Sequence, residues 1–229
     1  MKNSNLFGSK KINTSKSLLK NQAYELLKNA IINNHIKPDT IYSQEFLSKS
    51  LGISRTPVRE ALLQLQSEGI ICIYRGRGVQ VITTTIYDLR DILELDWAIE
   101  SKMAQLAAER INEENLSSLS QICEKMSHEA KNEQLHKFIE LDHQFHLTLA
   151  LATGNKKFIE NIENIHDQLL RSGIIYETSA LLEIVQEHKE IVAALHKHCP
   201  HTSLETMNIH LNNNYVRIMK CIENSNIDV

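Results

Sequence analysis

Two short helical patterns meet at Gly52, and the short connection between them restricts the folds open to this chain. The first pattern, over Ser43–Ser50, predicts a short helix that buries Phe46 and Leu47. Gly52 breaks that helix, and the next helix is predicted over Arg55–Glu68. Two helices joined by so short a Gly-containing turn are typical of the helix-turn-helix motif.

The segments on either side of this motif complete a small domain. Apolar residues recur at helical spacing over Ser17–Asn33, which predicts a first helix. After the third helix, Ile70–Tyr74 and Val79–Ile82 are interpreted as two short strands around a Gly-containing turn. We therefore predict a winged helix-turn-helix over residues 17–82, made of three helices and a β-hairpin.

The charged side chains of this domain are placed as DNA binding requires. Arg55, Thr56 and Arg59 lie on the outward face of the third helix near its N-terminus. Arginine there can pair with guanine in a major groove, and helix-terminal N–H groups and a threonine hydroxyl suit phosphates. The predicted DNA surface also includes the narrow hairpin tip, Arg75, Gly76, Arg77 and Gly78. The alternative is a small helical domain with solvated arginines.

The charge of the chain is divided between two regions. Residues 1–82 hold 12 Lys and Arg against 5 Asp and Glu, whereas residues 83–229 hold 13 against 23. The formal net charge of −3 is therefore the sum of +7 and −10. A basic first region joined to an acidic second one predicts two domains, the first with a polyanionic partner.

The second region is predicted to be all-α. From Thr83 onward, apolar residues recur at helical spacing in about six segments. The predicted fold class is therefore mainly α, a winged helix-turn-helix followed by a bundle of about six or seven helices. The predicted organisation is a disordered tail at 1–16, the first domain at 17–82, a linker into the next helix at 83–90, and a metal- and effector-binding bundle at 91–225.

Four polar residues on apolar helix faces of this bundle are candidate metal ligands. Asp142 and His146 are four residues apart, so both project from one face of one predicted helix. His188 and His210 lie within or beside the apolar stripes of two further helices. One Asp and three His could bind Zn²⁺, Ni²⁺ or Mn²⁺ and leave positions open for water or a ligand. The alternative is that these are hydrogen-bonded core side chains.

The other histidines fall into two sets. A dense group around a predicted inter-helix loop, His196, His198, Cys199 and His201, is a rival metal site, or otherwise a solvated loop. The remaining ones have no comparable neighbours in sequence and are interpreted as surface or packing residues: His35, His128, His136, His143 and His166.

Cysteine usage and hydropathy bear on location. The four cysteines form no CxxC pair, which fits a reducing cytosol better than a disulfide framework. Residues 1–16 are polar and Lys-rich, so no signal peptide is expected, and no apolar run is long enough to span a bilayer. We therefore expect a cytoplasmic protein with no membrane partner.

Both regions resemble parts of one known family. The first resembles the DNA-binding domain of GntR-family bacterial transcription regulators in Leu-Gly-Ile-Ser-Arg-Thr-Pro-Val-Arg-Glu-Ala-Leu at 51–62 and in Gly-Arg-Gly-Val-Gln-Val at 76–81. The second resembles the ligand-binding domain of the FadR-like subfamily, called FCD, in Asp142-His-Gln-Phe-His146, Glu187-His188 and His210-Leu211.

The resemblance implies a ligand-responsive regulator in the bacterial cytoplasm. It implies a homodimer that binds a palindromic double-stranded DNA operator, most simply as a repressor, with an organic-acid effector that changes DNA affinity. It also implies a divalent metal held by Asp142, His146, His188 and His210, whose open coordination positions the effector or waters would fill.

The chain departs from the family pattern where ligands are bound. Asp96 stands where relatives carry an Arg that pairs with an effector carboxylate, and Arg171 is a candidate cation elsewhere in the effector pocket. In the second helix, Gln44-Glu45 stand where many relatives carry a basic residue that contacts a phosphate. Glu45 would repel a phosphate there.

Two other classes of function remain open from the residues. An open divalent site can activate water, so a metalloenzyme with an appended helix-turn-helix is one alternative. The sequence shows no obvious general base beside the proposed ligands and no nucleophile motif, which predicts that the protein is not an enzyme. The other alternative is a structural DNA-binding dimer whose metal only stabilises the bundle.

Overall fold

A computed structural model describes residues 16–32, 35–38, 40–172 and 177–224. The chain divides into two compact units, residues 1–84 with 170–173 and residues 85–169 with 174–229. The predicted tail at 1–16 lies outside the described residues except for Lys16, where the first helix begins. Among the described residues, every helix is too short or too polar to cross a membrane.

The first unit has the predicted winged helix-turn-helix fold. Its elements are α1 (Lys16–Ile32), α2 (Gln44–Leu51), α3 (Arg55–Ser67), β1 (Ile71–Tyr74) and β2 (Gly78–Val81). Helices α1 and α2 both pack against α3, and β1 pairs with β2 as an antiparallel hairpin. Its core includes Leu27, Leu47, Val58, Leu62 and Leu65. Phe46, which was expected in this core, is 43% exposed and packs beside Tyr42, so that prediction was wrong.

The turn between α2 and α3 depends on the backbone conformation of Gly52. This residue has a φ of 69°, a left-handed conformation that residues with a side chain adopt at a cost. Its N–H donates to the carbonyls of Ser48 and Lys49, which closes the end of α2. The chain can therefore begin α3 only three residues later, as the motif requires.

The hairpin is joined to the start of α2 by main-chain hydrogen bonds. The N–H of Tyr42 donates to the carbonyl of Val79, and the N–H of Val79 donates to the carbonyl of Tyr42, both at 2.8 Å. Next to this bridge, Gly78 has a φ of 139°, and a Cβ there would lie 2.4 Å from the Tyr42 carbonyl oxygen. Only glycine fits this close approach without distortion.

The second unit is a helical bundle, as predicted. Its described helices are α4 (Ile86–Arg110), α5 (Glu113–Lys131), α6 (Leu135–Ala152), α7 (Lys156–Arg171), α8 (Leu181–Leu195) and α9 (Pro200–Asn224), with a 3₁₀ turn at Thr178–Ala180. Helix α4 packs along α9, α5 packs against α6 and α8, and α8 packs against α9. The core includes Met103, Leu119, Phe138, Phe145 and Leu149.

Helix α4 begins at Ile86, inside the segment 83–90 for which a linker was expected. Thr85 forms a capping box with Asp88, because each side chain receives a hydrogen bond from the backbone N–H of the other. The Thr85 hydroxyl, and then the Thr85 backbone N–H, donate to the Asp88 carboxylate and hold its pKa below its ordinary value. Four residues, 82–85, therefore connect the end of β2 to the first turn of α4.

Candidate nucleic-acid interface and metal centre

The first unit carries a groove between α3 and the hairpin, with a volume of about 700 Å³. Arg59 lines it from α3, and Arg75 and Arg77 line it from the turn between the strands. All three side chains are exposed. The other lining residues include Gly76 and Gly78. The fold therefore brings five of the seven residues of the predicted DNA surface to one concave, cationic surface.

The remaining two predicted residues, Arg55 and Thr56, are exposed in the first turn of α3 and do not line the groove. Ser54 occupies the N-cap position of α3, but its side chain makes no capping hydrogen bond. The first-turn N–H groups are thus left to an outside acceptor, and a phosphate is the acceptor that a helix N-terminus favours.

Arg55 is held by an ion pair within the domain. One guanidinium nitrogen lies 2.9 Å from a carboxylate oxygen of Glu45 on α2. The same carboxylate also pairs with Lys49 at 3.0 Å. These positive neighbours lower the pKa of Glu45, the hydrogen bond from Lys49 having the larger effect. Glu45 therefore stands as an anion beside the surface where DNA phosphates would lie.

The second unit contains a cluster of three buried histidines. His146 comes from α6, His188 from α8 and His210 from α9, and each exposes less than a tenth of its surface. One ring nitrogen of each lies within 4.8 Å of those of the other two. Among the described residues, this is the one group of three or more His, Cys, Asp or Glu side chains that could hold a metal ion.

Each of the three rings has its Nδ1 atom turned to an acceptor outside the cluster. Nδ1 of His188 donates to the carbonyl of Ile184 at 2.8 Å, and Nδ1 of His210 donates to Glu187 at 2.8 Å. Nδ1 of His146 lies 2.8 Å from an oxygen of Glu100. A proton on each Nδ1 leaves the Nε2 lone pair free for the cluster.

The Nε2 atoms of His146 and His188 lie 3.3 Å apart. Two nitrogen lone pairs at this distance repel unless a positive charge lies between them, and either a proton or a metal ion can supply it. Burial lowers the pKa of His146, but Glu100, Asp142 and Asp96 outweigh it and raise that pKa to about 9. Burial and the neighbouring histidines lower the pKa of His188. The residues present therefore fit a bound cation.

Asp142, the fourth predicted ligand, lies at the edge of this cluster. One of its carboxylate oxygens is 3.4 Å from Nε2 of His188. Its spacing from His146 places both side chains on the inner side of α6, as the interval of four residues predicts. Burial raises the pKa of Asp142, whereas His146 and His210 act to lower it.

Glu187 connects the cluster to a network of donors. Besides His210, it accepts hydrogen bonds from Asn213 and from both terminal nitrogens of Arg217. Burial acts to raise the pKa of Glu187, but these donors prevail and lower it to about 2. A carboxylate that stays ionised beside His210 strengthens that imidazole as a ligand.

A small cavity of about 50 Å³ opens beside the histidines. Asp96 and Glu100 line it from α4, Asp142 from α6, and His210 from α9. Burial, followed by the Glu100 carboxylate, raises the pKa of Asp96 well above its ordinary value. Asp96, one of the two residues predicted for an effector pocket, thus lines this cavity, whereas Arg171 is not among its lining residues.

Two histidines interpreted from sequence as surface or packing residues also line this cavity. The rings of His143 and His166 stack with centroids 3.7 Å apart and planes inclined by 11°. Burial and neighbouring histidines lower the pKa of both, that of His166 to about 3. The pair therefore presents a neutral aromatic surface to the cavity at pH 7.

The rival metal cluster does not form. His198 directs Nδ1 to the carbonyl of Ala108, and His201 pairs with Glu205 on its own helix. Cys199 accepts a hydrogen bond from Thr202. These side chains face different partners because the chain turns sharply between α8 and α9, where His198 has a φ of 48°.

Sequence reasoning missed the two carboxylates that orient the histidines. Glu100 lies 46 positions before His146, and Glu187 lies 23 positions before His210. Glu187 directly precedes a candidate ligand, and Glu100 stands one helical turn after Asp96. Those positions were the signal that could have identified them.

Comparison with known proteins assigns both units to known domain types. Residues 19–81 match the model described as "Bacterial regulatory proteins, gntR family", and residues 86–213 match the model described as "FCD domain". The HTH-type transcriptional repressor RspR of Escherichia coli K12 is 30% identical over 178 residues, which cover 77% of this chain and 78% of that protein.

Two further regulators of E. coli K12 are similar over most of their length. The Exu regulon transcriptional regulator is 27% identical, covering 79% of this chain and 76% of the relative. The Glc operon transcriptional activator is 26% identical, covering 74% and 76%. Among solved structures, E. coli McbR/YncC has the same fold, with a TM-score of 0.75 and 21% identity over 91% of this chain and 99% of that one.

Proposed function

The chain belongs to the GntR family of bacterial regulatory proteins and carries an FCD domain, and from this premise we propose how it binds DNA and what controls that binding. It is a DNA-binding transcription regulator and not an enzyme. Our proposal concerns the residues that meet the operator, the metal site, and the direction of regulation.

The cationic groove carries the proposal for the DNA surface. Arg59 on α3 reads base edges in the major groove, and Arg75 and Arg77 at the hairpin tip enter the adjacent minor groove. Arg55 and Thr56, beside the uncapped first turn of α3, hold a phosphate. Phosphate contacts set the position of the domain on the duplex, and the groove arginines supply the sequence preference.

Selection from random duplexes by the full-length protein tests this surface. The recovered operator is expected to be palindromic, with half-sites about one helical turn apart, because we propose that the protein binds as a homodimer. Light scattering of the complex would give two chains per duplex. Recovery of duplexes without a shared motif would contradict the reading of bases by Arg59.

The three convergent imidazoles carry the proposal for the metal. His146, His188 and His210 hold a divalent ion through Nε2, and the Asp142 carboxylate supplies a fourth ligand. Zn²⁺, Ni²⁺ and Mn²⁺ are the candidate ions, since imidazole and carboxylate ligands accept all three. Elemental analysis of the full-length protein after dialysis against each metal tests this, with about one ion per chain expected.

We further propose that the protein represses transcription, the mode named for its relative RspR. Another relative is named an activator, so the direction needs its own experiment. In vitro transcription from a promoter that overlaps the selected operator is expected to fall when the protein is added. Increased transcript would assign activation instead.

The organic-acid effector that the sequence resemblance implies would bind in the cavity beside the metal. The cavity lining contains three carboxyl groups and neither Lys nor Arg. A carboxylate effector would therefore depend for positive charge on the metal or on the imidazoles of the cluster. Because chromosomal DNA is the target, we place this regulator in the bacterial cytoplasm.

A further inference from the structure

The cavity beside the histidines is too small for most metabolites. Its volume of about 50 Å³ leaves room for about three or four water molecules. Pockets for small organic ligands are commonly roughly 300–1,000 Å³. A metal ion with two or three waters would fill this space.

The charge of the cavity wall also selects against an anion. Asp96 and Glu100 face it from α4, and Asp142 faces it from α6. The nearby Arg217 is committed to Glu187, with two guanidinium nitrogens on that carboxylate. A carboxylate entering the cavity would meet the oxygens of three carboxyl groups, and the lining offers it imidazoles but no guanidinium or ammonium group, whereas a cation would be attracted to those oxygens.

Residues from four helices surround the cluster, so binding or loss of an ion there would act on the packing of all four. The candidate ligands come from α6, α8 and α9, and Glu100 of α4 holds the ring of His146. With a cation present, the facing Nε2 atoms of His146 and His188 are bridged. When it leaves, a proton can bridge His146 and His188 but reaches neither His210 nor Asp142, so the helices that carry the ligands lose the ion that joined them and can shift.

We propose that the divalent metal ion is itself the signal, so that this regulator reports metal availability and needs no organic acid. This inference rests on the metal site proposed above. Loading and loss of the ion would switch the bundle between two packings, and the DNA-binding affinity would follow through linkage. Helix α4, which carries Asp96 and Glu100, is joined to the hairpin by four residues and is the direct covalent route to the DNA-binding unit.

The test compares operator binding by metal-free and metal-loaded full-length protein. Protein stripped with a chelator is titrated against the selected operator by fluorescence anisotropy, at fixed ionic strength, with no metal or with one equivalent of Zn²⁺, Ni²⁺ or Mn²⁺. At least one metal is expected to change the Kd at least tenfold. A panel of two- to six-carbon hydroxy acids, dicarboxylates and sugar acids is expected to change it further by less than twofold.

Two results would overturn the inference while the proposed metal site stands. In the first, the protein takes up about one ion per chain but its operator affinity changes less than threefold, which assigns the metal a stabilising role only. In the second, an acid of the panel shifts the Kd of metal-loaded protein tenfold. A chain that takes up no metal would instead contradict the proposed function.

Paired variants on one helix separate signalling from folding. His210→Ala is expected to abolish the metal response, whereas His201→Ala, at an exposed position of α9, should keep it. Circular dichroism verifies that both fold, and His210→Gln replaces His210→Ala if the latter does not. By linkage, operator DNA must change the metal affinity by the same factor as metal changes the operator affinity. Unequal factors would contradict a two-site coupling.

Discussion

The Arg55 guanidinium lies 2.9 Å from the Glu45 carboxylate, so the first residue of α3 is paired with the helix that precedes it. This pair is exposed to solvent, and exposed ion pairs contribute little to stability. A DNA phosphate can therefore displace Glu45, but the carboxylate stays nearby and repels the backbone. On the proposed DNA surface we therefore expect Glu45 to limit affinity for DNA of any sequence while it orients Arg55.

Glu45→Gln is expected to tighten binding to operator and to unrelated duplexes alike, by about two- to fivefold, because the repulsion and the competition for Arg55 are removed. The slope of log K against the logarithm of the salt concentration should also become steeper, by the amount expected for about one additional phosphate contact. Anisotropy titrations at several salt concentrations measure both quantities. Glu25→Gln, on the exposed surface of α1, is the matched control and should change neither. Unchanged affinity in Glu45→Gln would remove this role.

Arg59→Ala should weaken operator binding by about 1–3 kcal/mol and relax the preference at one base position, since Arg59 is the arginine that lines the groove from α3. Arg75→Ala at the hairpin tip provides the comparison, with a loss at a different base position. Competition assays with single-base variants of the selected operator locate each position. If the Arg59→Ala variant keeps both its operator affinity and its base preference, Arg59 is not the residue of α3 that contacts the bases.

Gly78→Ala should disrupt the hairpin more than Gly76→Ala. Both positions have a positive φ, which costs a residue with a side chain about 1–2 kcal/mol. At Gly78 the added Cβ also meets the Tyr42 carbonyl, whereas at Gly76 it meets open space. Amide hydrogen exchange at Tyr42 and Val79 is the readout, and it should accelerate markedly only in Gly78→Ala. Equal exchange in the two variants would show that the close approach does not constrain the hairpin.

Glu187→Gln should lower metal affinity by about 10–100-fold without removing a ligand, because an ionised partner no longer polarises His210. Glu190→Gln changes an exposed carboxylate on the same helix and serves as control. Competition with a chromophoric chelator gives both affinities. Equal affinities would mean that Glu187 has no influence on the site.

His188→Ala should abolish the stabilisation that metal gives to the folded protein. For the unchanged chain, an ion at about 100 times its Kd adds about 2.7 kcal/mol to the free energy of unfolding. Thermal melts with and without metal measure this difference. His128→Ala, at an exposed position of α5, should melt like the unchanged chain. A metal-dependent shift that persists in His188→Ala would show that the ion binds elsewhere.

The parts of the fold predictable from sequence are those set by local interactions. The α2–α3 turn follows from one glycine, and the hairpin from a Gly-containing turn between two apolar runs. The shared face of Asp142 and His146 follows from helix geometry alone. These features depend on residues within a few positions of one another, so single-sequence patterns are enough to identify them.

The missed features depend on how separate helices pack. The distance between Glu100 and His146 is set by the packing of α4 against α6, and no local pattern encodes it. The same holds for the stacked His143 and His166, which come from α6 and α7. Phe46 was wrongly assigned to the core because hydrophobic periodicity identifies the inner face of a helix but does not show how much of that face the neighbouring elements cover.

The two hydrogen bonds between Tyr42 and Val79 have a consequence for how such a regulator changes its target. They use main-chain atoms only, so they do not depend on which side chains stand at positions 75 and 77 of the tip. On the proposed DNA surface, substitutions at Arg75 and Arg77 are therefore expected to change the contacts with DNA while the hairpin stays attached to the segment before α2.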